Sequence, residues 1–283
     1  MIPAIIGSAA VVVVLAAMVV ARRKARDARR DKLMRAPFPD DWKRHIEKNI
    51  PLYNRLPGEL KDQLCGLVNV FCAEKTFKGC QDLEMTDEIR VTIAAQACML
   101  LLNRKTTFFK KLKTIYVYPH TYVAKQTSCD GVMVIEGRSV RLGESWQNGP
   151  VVLAWDSVMG GARNIHDGRN VVMHEFSHQL DQEDGAADGA PILDNRSSYI
   201  TWARVLSTEY EALCTKTRKH RRSAMNKYGA TNPAEFFAVI TEAFFEKPKQ
   251  MQRKHPELYE ELRSYYKVDP IEWVQSGSRR RKR

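Results

Sequence analysis

The run Val171-Val172-Met173-His174-Glu175-Phe176-Ser177-His178-Gln179-Leu180-Asp181 contains an H-E-x-x-H pattern inside a sequence that predicts a helix over 170–180. Val171, Val172, Met173 and Phe176 supply a buried face. His174 and His178, four apart, fall on one helical face about one turn apart. Two imidazoles so placed suit one zinc ion, and Glu175 beside the first of them suits the general base that takes a proton from a metal-bound water. With 7 histidines and 33 acidic residues in 283, a chance occurrence has odds on the order of one in a hundred or less.

A catalytic zinc site needs a third protein ligand and an open position. The longer metzincin pattern continues with a glycine and a third histidine; here those positions hold Asp181 and Asp184, which excludes that class. His45, His120 and His166 lie upstream, His220 sits in a basic run and His255 is flanked by Lys254 and Pro256, so a distant glutamate is the better candidate. The segment 231–245 offers two. Asn232 suits a helix N-cap and Pro233 the first helical position. Glu235 and Glu242 are seven apart on one face of an otherwise apolar helix, where a carboxylate is costly unless paired or metal-bound. Spacing does not choose between them, although a simple contact with the helix dipole suits Glu235 better.

Outward from these helices, the aliphatic and aromatic runs 114–118, 131–136 and 151–155 read as short strands bounded by glycine and proline. A short helix capped by Asp40 or Asp41 and ending near Pro51 is expected, with further helices over 57–75, 86–104, 197–214, 233–246 and 256–266. Helices, a small mixed sheet and more helices, with no internal repeat, predict an α+β domain.

His174 to Asp181, together with Asn232-Pro233-Ala234-Glu235-Phe236-Phe237-Ala238-Val239, resembles the Mlc titration factor A family of zinc peptidases. Gly143-Glu144-Ser145-Trp146, Gly149-Pro150-Val151-Val152-Leu153-Ala154-Trp155 and the stretch from Tyr116 to Pro119 resemble it too, and the likeness spans roughly residues 50–270. The resemblance implies a zincin-like fold related in its catalytic core to anthrax lethal factor, with one Zn2+ held by His174, His178 and Glu235. It also implies a gluzincin-type peptidase, aminopeptidase-like toward short substrates, with Tyr228 near the metal, where a phenol can share the oxyanion's charge. It leaves Glu242 a candidate supporting carboxylate and Asp181 a candidate acceptor for a ligand imidazole N–H. The founding member is soluble, cytoplasmic and known for binding the Mlc glucose repressor, which brings in a transcription regulator as partner and, as the rival reading, a binding module that sequesters such a regulator at the membrane.

Residues 2–21 carry no charge, and about 20 residues at about 1.5 Å each cross a bilayer core. No basic residue precedes them and eight follow between 22 and 35, so the positive-inside rule predicts a single-pass anchor with the N-terminus out and the catalytic domain in the cytoplasm of a bacterial inner-membrane protein. The ending Val19-Val20-Ala21 resembles a signal-peptide cleavage site, but such peptides carry their positive charge before the apolar stretch. The expected division is an anchor at 1–21, a basic juxtamembrane linker at 22–39, a peptidase domain at 40–270 and a basic tail at 271–283. A net charge of +12 would suit nucleic acid, but its bias toward the termini, next to an apolar segment, fits anionic lipid better. None of the six cysteines forms a CxxC pair, and buried reduced thiols are expected.

Overall fold

The computed structural model describes residues 2–120, 127–129, 132–134 and 149–274, without the side chains of residues 2–13 and 127–134. Three strands, β1 (Thr76–Gly79), β2 (Thr114–Tyr118) and β5 (Val151–Ala154), form a parallel sheet in the order β1-β2-β5. Thr76 pairs with Thr114, and Ile115 with Val151. Parallel neighbours need long crossovers, and helix α5 (Asp87–Met99) lies within the first. Side chains alternate across the sheet: Ile115 and Val117 join the main core, whereas Tyr116 and Tyr118 pack with Cys80 and Val152 on the other face. A separate antiparallel pair, β3 (Thr127–Cys129) and β4 (Val132–Val134), precedes β5.

Helices fill the rest. Ahead of the sheet come α1 (Ile2–Met34), α2 (Asp40–Asn49), α3 (Pro51–Arg55) and α4 (Gly58–Glu74). After β5 follow α6 (Trp155–Arg163), α7 (Val171–Asp181), α8 (Arg196–Arg218), a 3-10 turn (Lys227–Ala230), α9 (Pro233–Glu246), α10 (Pro248–Lys254) and α11 (Pro256–Tyr266). Thr86 caps α5 by accepting the Ile89 N–H at 3.3 Å. α5 is buried along nearly its whole length and packs against α2, α4 and α7, while α9 is buried from Glu235 to Glu246 and packs against α7. A helix apolar on all sides belongs in the interior, and this one holds α7 against the sheet side of the core.

Several expectations change. The principal sheet is parallel, not mixed, and its strand β1 follows directly on α4, where only the end of a helix was expected. The helix expected over 86–104 stops at Met99; Leu100, Leu101 and Leu102 are buried in turns, so their apolarity reflects tertiary burial and not helical period. The stretch expected as a linker is helical to Met34 and packs on α4. Cys65, Cys72, Cys98 and Cys214 are free thiols, as expected, but Cys80 is disulfide-bonded. The expected strand 131–136 is described only as β4, and the motif 143–146 and residues 275–283 of the expected basic tail lie outside the described residues. Among the described residues no helix is long and apolar enough to cross a membrane; the expected anchor falls largely on residues 1–13, whose side chains lie outside the description.

Candidate active site

Asn170 starts α7 by accepting the Met173 N–H on its side-chain oxygen at 3.0 Å. This cap sets the phase of the helix, and one turn later His174 and His178 lie on the same face with ring centroids 4.9 Å apart. Asn232 does the same for α9, accepting the backbone N–H of Glu235 at 2.9 Å. The Glu235 carboxylate is thereby delivered from the first turn of α9 onto both imidazoles. Its Oε2 lies 2.9 Å from His174 Nε2 and 3.5 Å from His178 Nε2. The three side chains are only 12–14 % exposed, and a donor atom from each lies within 4.8 Å of the others.

A carboxylate behind His174 completes the clamp. Glu242, two turns after Glu235 on the same face of α9, takes His174 Nδ1 at 2.7 Å on Oε1 and the Asn170 backbone N–H at 2.6 Å on Oε2. Burial disfavours the charged ring of His174, but the hydrogen bonds to Glu235 and Glu242 outweigh it and hold the imidazole at about 10. Burial likewise acts to raise Glu235, yet hydrogen bonds from His174 and His178 hold its carboxyl at about 2. Tyr228, in the 3-10 turn packed against α9, places its ring centroid 6.0 Å from that of His174. Burial and the neighbouring Glu235 and Glu175 push its phenol well above the usual tyrosine range. Glu175 is half-buried, and its charge acts on both His174 and Tyr228.

The structure thus brings His174, Glu175, His178, Tyr228 and Glu235 together, with Glu242 behind them. Asp181 departs from expectation. Among the described residues it accepts no imidazole N–H; its Oδ2 takes the Gly189 N–H at 3.0 Å, and its Oδ1 meets no hydrogen-bond partner there. Gly189 has φ +79 and sits where a Cβ would lie 2.6 Å from the Pro233 carbonyl oxygen. Asp181 therefore fastens the loop after α7 against the start of α9. Sequence reasoning missed the polar support beneath α7: Asn170 Nδ2 donates to Gln96 Oε1 at 3.0 Å and Glu246 Oε1 at 3.3 Å, and the Arg169 N–H to Glu246 Oε2 at 3.1 Å. The available signals were Gln96 inside an alanine-rich apolar helix and Asn170 at the head of the motif.

The chemistry of the donor set fits a divalent zinc ion. Two imidazole nitrogens and a carboxylate make a typical three-ligand catalytic set, in which a metal would take the place of the proton that His174 Nε2 shares with Glu235. With Nδ1 engaged by Glu242, His174 presents Nε2 to the centre, the arrangement that fixes tautomer and ring orientation in such sites.

A two-histidine helix facing a glutamate helix beside a small parallel sheet defines the HExxH metallopeptidase class. The chain belongs to the glucose-regulated metallo-peptidase M90 family, which it matches over residues 22–267. It is 40 % identical to an uncharacterized protein of Synechocystis over 247 residues, 87 % of this chain and 90 % of the relative. It is 29 % identical to the Mlc titration factor A of Pectobacterium atrosepticum over 84 % of this chain and 89 % of that protein. The likeness to the Mlc titration factor A of Serratia proteamaculans is also 29 %, over 80 % and 87 %.

Proposed function

We propose that the protein is a membrane-anchored, zinc-dependent peptidase of gluzincin type, aminopeptidase-like toward short substrates. The observation that carries this reading is the convergence of His174 Nε2 and His178 Nε2 on one oxygen of Glu235, at 2.9 and 3.5 Å, with Glu175 on the same helix. A zinc ion held by His174, His178 and Glu235 supplies Lewis acidity and lowers the pKa of water at the site. Glu175 takes the proton of the attacking water and returns it to the leaving amine. Tyr228 keeps its proton and so has a hydroxyl to donate to the developing oxyanion. Glu242 holds His174 in the tautomer that keeps Nε2 turned to the centre. β5 pairs with β2 on one side and forms a sheet edge among the described residues; an extended substrate adds to that edge. Substitutions in Val151–Ala154 then change substrate preference and leave zinc content alone.

The placement rests on charge. The basic residues directly after the apolar run favour a cytoplasmic catalytic domain, whereas the disulfide at Cys80 is a feature of oxidising compartments. We assign the cytoplasmic side on the charge asymmetry, and protease accessibility of the domain in intact spheroplasts, against lysed ones, decides it. The name that two of the relatives carry, Mlc titration factor A, favours a second reading, in which the domain binds a transcription regulator. Peptide hydrolysis and metal content of wild type, Glu175→Gln, Glu235→Ala and Glu242→Ala separate these readings. Glu175→Gln loses hydrolysis while keeping both metal and any regulator binding, and Glu235→Ala loses the metal. Metal retained in Glu235→Ala and lost in Glu242→Ala overturns the ligand assignment.

A further inference from the structure

The segment between α5 and β2 is clamped from three sides. From α1, Arg30 grips Glu74 of α4 through two hydrogen bonds of 2.7 Å, donates to the Thr107 carbonyl at 3.2 Å and lies 4.6 Å from the centre of the Phe108 ring. From the end of α4, the buried Lys75 donates to the carbonyls of Phe109 and Leu112 at 2.7 and 2.9 Å. On the far side the segment reaches α7. Lys111 donates to the carbonyl of Gln182, which caps α7, at 2.7 Å, and Thr107 donates to Glu183 at 2.5 Å. The Phe109 ring packs edge-on at 4.9 Å against Phe176, the residue lodged between Glu175 and His178.

We propose that segment 105–112 sets the position of the catalytic helix and that Arg30 of α1 sets the segment, making Arg30, Phe109 and Lys111 positioning residues for the peptidase reaction. The proposal rests on the peptidase reading of the site. Ordinary loops leave their backbone groups to water; this one spends charged side chains on three of its carbonyls and ends on the last turn of α7. Phe108 and Phe109 both hold left-handed backbone, φ 57 and 51, which non-glycine residues keep only where surrounding contacts impose it. Phe71, from the same α4 that receives Arg30, touches both Phe109 and Phe176, at 6.1 and 5.6 Å. Movement of this cluster turns α7 and carries His174, Glu175 and His178 together relative to Glu235. Helix α1, which bears the apolar N-terminal run, is in this way part of the catalytic apparatus and not a detachable tether.

The test uses full-length protein in detergent, with Arg30→Ala, Lys111→Met, their combination, and the charge exchange Arg30→Glu with Glu74→Arg. Hydrogen exchange of the α7 amides and kcat and KM on a short peptide are read beside the melting midpoint. Arg30→Ala and Lys111→Met each speed exchange of the 174–182 amides about tenfold. Each lowers kcat about tenfold, with KM within about twofold of wild type. The combined variant is no worse than the poorer single one, because both act through one segment. The charge exchange restores the α1–α4 ion pair, and with it the melting midpoint, but not the contacts to Thr107 and Phe108, so α7 exchange and kcat stay impaired. Wild-type α7 exchange in Arg30→Ala, in Lys111→Met or in the folded charge-exchange variant overturns the proposal, as do losses that multiply in the combination. Should Arg30→Ala fail to fold, the charge-exchange variant carries the test of Arg30 beside Lys111→Met. A wild-type protein that cleaves no peptide sinks the peptidase reading, and hydrogen exchange still decides the positioning.

Discussion

His174 is gripped at both ring nitrogens, by Glu235 on one side and Glu242 on the other. The two carboxylates differ in consequence. In the proposed zinc site Glu235 would ligate the metal directly, whereas Glu242 would act through the imidazole and through the Asn170 N–H that opens α7. Glu242→Ala is therefore expected to weaken zinc affinity by about 10- to 100-fold, the usual effect of losing the partner of a ligand histidine, measured by chelator competition; affinity equal to wild type speaks against the role. Glu246 adds a second residue-level consequence. It is 5 % exposed, and burial lifts its carboxyl to about 8 from an ordinary 4.5 despite hydrogen bonds from Asn170 and Arg169. Between those two values the unfolded chain has released a proton that the folded protein keeps. Stability therefore falls as pH rises through that window, by at most about 1.4 kcal/mol per pH unit. Glu246→Gln keeps one acceptor and removes the ionisation, so its melting midpoint should decline less steeply from pH 5 to pH 8 than that of wild type. Parallel curves for the two proteins rule the effect out.

At the scale of elements, the N-caps decide where the functional side chains point. The Asn232 side chain bonds the N–H of Glu235 itself, so Asn232→Ala is expected to cost about 1 kcal/mol. That lowers the melting midpoint by about 2–4 °C in a chain of this size; Asn232→Ser should recover most of the loss, and a midpoint unmoved by Asn232→Ala refutes the cap's contribution. This cap, the proline after it and the H-E-x-x-H phase were legible in the sequence because each is local chemistry within one helical turn. α9 and α11 accordingly fall over 233–246 and 256–266 as expected. β1 was not legible. Its four residues acquire strand character only by pairing with β2, whose Thr114 is 38 positions from Thr76. The helical state of the basic stretch before Met34 was equally hidden, since Arg30 finds its partners at Glu74 and Thr107, far along the chain. The choice between Glu235 and Glu242 stayed open to spacing alone for the same reason: a shared helical face says that both point toward α7, and only the packing of α9 on α7 tells which atom meets which nitrogen.

For the molecule as a whole, α1 raises the question of what covers its outer half. Its 33 residues make a rod of about 50 Å, of which residues 2–21 account for about 30 Å, the thickness of a bilayer core. Val14, Leu15 and Val20 are 56 %, 53 % and 51 % exposed, whereas Leu33 and Met34 at the other end pack against the core. A row of bare aliphatic side chains on a soluble protein invites association; in lipid the same row is solvated. Arg22, Arg23, Lys24, Arg26 and Arg29 then lie exposed just where the helix would leave the hydrocarbon, suited to anionic headgroups. Charges within this run test the arrangement without touching the catalytic centre. Val14→Asp with Leu15→Asp costs roughly 3 kcal/mol per aspartate at mid-bilayer. It should move the protein from the carbonate-washed membrane pellet to the supernatant, with kcat on a soluble peptide unchanged because Arg30 and its contacts remain. Wild-type protein already in the supernatant removes the anchor from the picture, and its exposed aliphatic row would then have to be covered by another protein surface.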